Sequence, residues 1–231
     1  MRRAQSVVEF YVLCNKLKEV IRSGWKTWNV DVERRESVAE HVYGTQMLAI
    51  AMWSQYDYDL DMQKVLTMLA VHELEETVIG DLTLFDIDEK SKLEMGHNAV
   101  KNILSNMKQG EELEKLIYEF DAKKTPEAIF AFFCDKLECD LQCCIYDKKG
   151  GVNLDNQPNN NAIEHITIRS LLESGKSWSE MWLLFSQGKY DYDEHFKAVS
   201  DYAKDHFITK GDIQSLNNTT DTNPDDDSVA G

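Results

Sequence analysis

At 231 residues the chain can build one domain with a substantial core, or at most two small ones. Its 41 acidic residues outnumber 25 basic ones, for a formal charge of −16, and a field of that sign repels a phosphate backbone, which excludes nucleic acid as an expected partner. The opening MRRAQSVVEFYVLCNKL lacks the continuous apolar run of a signal peptide, no stretch approaches a membrane span, and five clustered cysteines, an odd number, point to a reducing cytoplasm.

Only three prolines and few alternating β-branched runs make the expected class all-α. Apolar recurrences at three and four predict helices over 5–22, 38–55, 61–76, 88–107, 111–122, 126–147, 160–173 and 189–207, with a shorter one over 178–186. Gly24, Gly80, Gly110, Gly150, Gly175 and Gly188 punctuate the gaps, and no internal repeat is visible. From residue 209 the composition changes to five acids, one lysine and almost no large apolar side chain. A single helical domain is therefore expected over 1–208 and an acidic disordered tail over 209–231. Without the tail the charge is still −12, so the body itself is acidic.

Taken in chain order, the helices carry a few residues that do not suit their faces. The first closes with KLKEVIRSG, where Arg22 suits the negative end of a helix dipole without any ligand. In 38–55, His41 shares its face with Val38, Thr45, Leu48 and Met52. In 61–76, at about 100° per residue, His72, Glu73 and Glu76 fall on the apolar stripe of Met62, Val65, Leu66 and Leu69, while Glu75 points to solvent. In 126–147, Asp135 lines up with Ala128, Ala131, Phe132, Cys139 and Tyr146.

Two ionised carboxylates on a core face are costly unless a positive charge accompanies them. A helix C-terminus cannot supply it, because its dipole favours cations. Two imidazoles and two carboxylates form a donor set suited to one divalent transition ion such as Mn, Fe, Co, Ni or Zn. Each residue alone has an ordinary explanation, as a satisfied core histidine or an aspartate stapled to backbone N–H groups. Periodicity leaves the metal site and the satisfied core as the two readings. Cys134, Cys139, Cys143 and Cys144 lack the paired spacing of a zinc ribbon, and Cys139 with Cys143 fits a core face. His97, His165, His195 and His206 show no partner pattern.

The segments RRESVAEH, VHELEETVIGD some thirty residues on, and CDKLECDLQ together resemble the HD superfamily of metal-dependent phosphohydrolases, and most closely its 5′-deoxynucleotidase branch. The branch's motifs read here as Arg22-Ser-Gly-Trp25, Glu36-Ser-Val-Ala-Glu-His41, His72-Glu-Leu-Glu-Glu76-Thr-Val-Ile-Gly-Asp81 and Asp135-Lys-Leu-Glu138, within a likeness running from about residue 8 to 150. Two departures stand out. The family's His-Asp pair is His72-Glu73, whose carboxylate sits one methylene further out, and Leu82-Thr83-Leu84 stands where members often have a proline.

The resemblance implies a single HD-type helical bundle, a homodimer, and a small-molecule nucleotide substrate. It implies that His41, His72, Glu73 and Asp135 hold one divalent ion, with Glu76 as general acid or base. It further implies that Arg22 clamps the 5′-phosphate, that Asp81 faces the sugar, and that Trp25 walls the sugar pocket. Ordinary alternatives stay open: Asp81 as a cap, Trp25 and Trp28 as packing, and the apolar stretch 170–185 as a subunit interface. Lys136, beside Asp135, is expected on the solvated side. The motif segments offer mainly Arg22, Lys26, Arg34 and Arg35 as cations, which favours a deoxyribonucleoside monophosphate over a triphosphate or pyrophosphorylated alarmone. The Glu73 departure also leaves room for a non-catalytic nucleotide or metal sensor.

Overall fold

The computed structural model describes residues 2–83 and 85–207; Leu84 and the acidic segment 209–231 lie outside the described residues. Among these the protein is all-α, with one isolated antiparallel bridge between Ile21 and Ser37. The helices are α1 Arg2–Asn15, α2 Ser23–Thr27, α3 Val38–Gln55, α4 Met62–Val71, α5 Glu76–Ile79, α6 Glu89–Leu104, α7 Gly110–Ala122, α8 Pro126–Lys148, α9 Ile166–Glu173, α10 Trp178–Lys189 and α11 Glu194–His206. Short 3₁₀ turns occupy Lys16–Lys18 and Asn161–Glu164. No described helix is long and apolar enough to cross a membrane.

Most helix starts are written locally. Ser37 accepts from the Glu40 N–H while the Glu40 side chain returns to the Ser37 N–H, a reciprocal cap that Ser177 and Glu180 repeat at α10. Asp61, Asp88, Thr125 and Asp193 cap α4, α6, α8 and α11 with single side chains, and Pro126 sits where a missing N–H costs nothing.

The central element is α8, which packs against α3, α4, α7, α10 and α11. Ala128, Ala131, Cys134 and Leu137 are fully buried there, against Val65, Met68 and Leu69 of α4 and Ala49 and Met52 of α3. A second cluster gathers Trp25, Trp28, Tyr146, Trp178 and Met181. The large apolar side chains of the 170–185 stretch thus pack within the chain.

Two predicted helices are interrupted. The first ends at Asn15 and a 3₁₀ turn, so Arg22 does not close a helix but precedes one. It is held in extended backbone, where its N–H donates to Glu36 O (3.1 Å) and Val38 N–H donates to Val20 O (2.8 Å). The helix predicted over 61–76 breaks after Val71. The cause is His72, whose Nδ1 bonds the Leu69 carbonyl (2.8 Å), which the Glu73 N–H would take in a continuous helix. Tighter bonds follow, with Leu74 N–H to Val71 O and Glu76 N–H to Glu73 O, before α5 begins.

Candidate active site

His41 from α3, Asp135 from α8, and His72 and Glu73 from the break after α4 converge with one donor atom each, all within 4.8 Å of one another. His41 Nε2 lies 3.1 Å from Asp135 Oδ1 and 3.7 Å from Glu73 Oε1, and His72 Nε2 lies 3.7 Å from the same Glu73 oxygen. Bonds of about 2.0–2.2 Å to a shared ion place ligand atoms roughly 3 to 4.4 Å apart, so these separations suit one. Glu73 reaches the cluster despite its additional methylene.

The chemistry of the donors fits a cation. His72 commits Nδ1 as a donor to the Leu69 carbonyl, which leaves a lone pair on Nε2. That atom is buried and has no hydrogen-bond partner among the described residues. Burial depresses the His72 pKa, against the pull of Glu73 and Asp135. On α8, Glu138 Oε2 lies 2.5 Å from His41 Nδ1 and fixes that ring with Nε2 turned to the cluster. Burial opposes charge on Glu73, but His72, Arg22 and Lys92 outweigh it and hold the carboxyl at about 2. Burial likewise opposes charge on Asp135, yet Lys136 and the two imidazoles keep it well below the usual carboxylate range.

Lys136 is therefore not a solvated bystander: its Nζ lies 2.7 Å from Asp135 Oδ2. Glu75 does not point to solvent either. It is half-buried, its Oε2 has no partner among the described residues, and burial with the Glu73 charge pushes its pKa to about 8. The tightened turn at 72–75 rotates it inward, against Gly96 of α6. His97 has a partner after all, in Asp121 (2.8 Å).

Beside the cluster opens a cavity of about 520 Å³ whose wall includes Arg22, Glu73, Glu76, Asp81 and Trp25. Arg22 Nη1 donates to Glu73 Oε1 (3.2 Å) and Nη2 to Cys139 Sγ (2.9 Å). Glu76 is 1% exposed, and neither carboxylate oxygen has a hydrogen-bond partner among the described residues; Lys92 Nζ stands 3.7 Å away. Burial, then Glu73 and Asp81, pushes its pKa well up, against the pull of Arg22 and Lys92. Asp81 caps α2: its Oδ2 accepts from the Ser23 N–H (2.6 Å) and its carbonyl from Ser23 Oγ (2.5 Å). Trp25 is 2% exposed, packed edge-to-face against Tyr146 and Trp178 and tilted against Trp182, and donates Nε1–H to Glu36 (2.9 Å).

Of the cations expected near the site, only Arg22 lines the cavity. Lys26 and Arg35 are exposed, and Arg34 pairs with Glu40 at the surface. Lys92, Lys123, Lys136 and Lys189 line it instead, and of these only Lys136 lies in a motif, Asp135-Lys-Leu-Glu138. Glu138 carried a signal that was legible, since it lies three residues after Asp135 on one helix face.

Residues 14–169 match the HD domain family. A 5′-deoxynucleotidase of Dictyostelium discoideum is 33% identical over 150 residues, covering 62% of this chain and 78% of its own. A human protein of the same name is 30% identical over 147 residues, covering 62% and 70%. A crystal structure from Pyrococcus horikoshii OT3 superposes with a TM-score of 0.55 at 26% identity, over 79% of this chain and 97% of that one. A structure from Magnetospirillum magnetotacticum described as a predicted metal-dependent phosphohydrolase has a TM-score of 0.58 at 23% identity, over 87% and 98%, a likeness of fold. On the match across 14–169, with the histidine and acid cluster it encloses, the chain belongs to the HD domain family.

Proposed function

We propose that the chain is a divalent-metal-dependent phosphohydrolase that removes the 5′-phosphate from deoxyribonucleoside monophosphates. The observation that carries this is the meeting of His41, His72, Glu73 and Asp135 in one cluster, with Glu73 shared between that cluster and a cavity wall that also carries Arg22 and Glu76. The names of the relatives support the same substrate class.

The four-residue cluster holds one ion of Mn, Co, Fe, Ni or Zn. What such an ion supplies is charge to polarise a phosphoryl oxygen and acidify water. Arg22, already beside Glu73, offers a planar pair of donors to the phosphate. Glu76, desolvated in the cavity wall, acts as the general acid and donates to the departing 5′-oxygen. In this reading Asp81 accepts from the sugar 3′-hydroxyl, and Trp25 backs the sugar. Glu138 acts through His41 as a positioning residue. A cytoplasmic homodimer belongs to this reading, supported by the family resemblance and by exposed Tyr43, Met47, Ile50 and Trp53 on α3.

One observation favours a second reading, hydrolysis of nucleoside triphosphates: four lysines line the cavity. Two of them, Lys92 and Lys136, already face Glu76 and Asp135, and the same wall carries Asp81, Asp88 and Glu89. That balance leaves little free positive charge for two further phosphates, so the monophosphate is preferred. Chromatography of the products from 5′-deoxy- and ribonucleoside mono- and triphosphates, each with EDTA, Mn²⁺ or Co²⁺, tests the proposal. Nucleoside and phosphate from deoxymonophosphates, lost with EDTA, is the expected result. Pyrophosphate or tripolyphosphate release establishes the second reading, and no turnover with any metal leaves a nucleotide or metal sensor.

A further inference from the structure

The cavity does not end at Arg22 and Glu76. It continues between α2 and α10, where the wall changes from charged to apolar: Phe85, Ile168, Met181, Trp182 and Phe185. Three of these come from α10, beyond the 14–169 family match.

Trp182 is the hinge between the two ends. Its ring lies 5.4 Å from that of Trp25, tilted by 33°, and its edge would stand 3.5 Å from a Cβ on Gly24, two residues after Arg22. The helix that carries it is pinned from behind by Asp140 of α8, a fully buried carboxylate. Ser186 Oγ donates to Asp140 Oδ1 (2.7 Å) and Tyr192 OH to Oδ2 (3.2 Å). α10 is thereby fastened to the same helix that supplies Asp135.

The consequence is chemical. Each Asp140 oxygen accepts one of these bonds, which commits the carboxylate to holding α10 in place. What this end offers is π-face and aliphatic surface from half-buried Trp182 and Phe185, with Lys189 over the Phe185 ring at 5.8 Å. A nucleotide whose phosphate lies at Arg22 has one flat apolar part left to place.

We infer that α10 forms the nucleobase subsite: Trp182 and Phe185 take the face of the base and, by stacking, select a nucleotide over a base-free sugar phosphate. This rests on the nucleotidase reading above. Stacking on aromatic side chains tolerates any base because every base has a π-face, so purine and pyrimidine deoxynucleotides turn over within several-fold of each other.

The test is kcat/KM of the full chain with Mn²⁺ for dAMP, dTMP and 2-deoxyribose 5-phosphate, in wild type, Trp182→Ala, Trp182→Phe and Phe185→Ala. The expected result is a fall of about tenfold or more in the ratio of nucleotide to sugar phosphate in Trp182→Ala, chiefly through KM, with Trp182→Phe retaining most of the preference. A ratio unchanged in both alanine variants overturns the inference. So does a loss that falls equally on nucleotide and sugar phosphate in Phe185→Ala and Trp182→Phe, which marks packing alone. If the wild type hydrolyses none of the three, the functional reading fails, and calorimetric binding of dAMP against 2-deoxyribose 5-phosphate in the same proteins decides the subsite by the same ratio.

Discussion

Gly44 lies on α3 one turn beyond His41, and a Cβ there would run into Glu138 Oε1, with Cδ and Cγ at 2.9 and 3.0 Å. Glu138 is the residue whose Oε2 holds His41 Nδ1 at 2.5 Å. Gly44→Ala therefore forces the carboxylate off the imidazole without touching any proposed ligand. In an exposed helix interior the change would stabilise by about 1 kcal/mol. Here the lost charge-assisted bond opposes it by about 1.5–3 kcal/mol, so the net is a destabilisation of about 0.5–2 kcal/mol. Loss of a second partner on a metal-ligating histidine costs about 10–100-fold in metal affinity. Competition of Mn²⁺ binding against a chelator reads the affinity, and urea melts in EDTA read the stability. Gly188→Ala, where a Cβ meets nothing within 4 Å, serves as the control. Mn²⁺ affinity in Gly44→Ala equal to that of the control would refute the assignment of Glu138 as the group that orients His41.

Glu76→Gln keeps the shape of the side chain but removes its transferable proton; kcat for dAMP is expected to fall about 10²–10⁴-fold with Mn²⁺ stoichiometry unchanged, and retained turnover would disqualify Glu76. Glu36 is 7% exposed, and burial, then Glu138, raises its pKa from 4.5 to about 7. Its folded form thus binds the proton more tightly than its unfolded form, so this contribution to stability is complete below pH 4.5 and is lost as pH rises through 7. Glu36→Gln should gain on wild type across that window, by at most about 3 kcal/mol at pH 8, read from urea midpoints at pH 5 to 8; parallel curves would show that Glu36 does not titrate in this way. Leu137→Ala, in the middle of α8 and fully buried, should cost about 2–5 kcal/mol, against a few tenths for half-exposed Ile129→Ala; equal melting temperatures would contradict the packing around α8.

Where a helix runs unbroken, the three-and-four periodicity places its side chains well: α3 and α8 bury His41 and Asp135 on the faces their sequences mark. The α4 segment shows the limit. His72, Glu73 and Glu76 do turn inward, but through a broken helix, because one imidazole takes a backbone carbonyl. Such a bond has no periodic signature, and it is why Glu75 was misplaced. Arg22 reaches the site from an extended strand-like segment paired with 36–38, a long-range contact that helical spacing does not encode. Lys136 follows the same lesson from the other side: one position past Asp135 it leaves the core face, yet a flexible stem brings its ammonium back to its neighbour. Lys92, Lys123 and the aromatic wall of α10 come from segments far apart in sequence, so only the assembled cavity brings them together.

The central claim is that His41, His72, Glu73 and Asp135 hold one divalent ion. The most direct measurement is the stoichiometry of Mn²⁺ bound at equilibrium, read by the loss of the free-ion resonance signal, in wild type and in His72→Gln. One ion per chain in wild type and none at the same concentration in His72→Gln is the predicted result. No binding by wild type, or equal binding by His72→Gln, would contradict it.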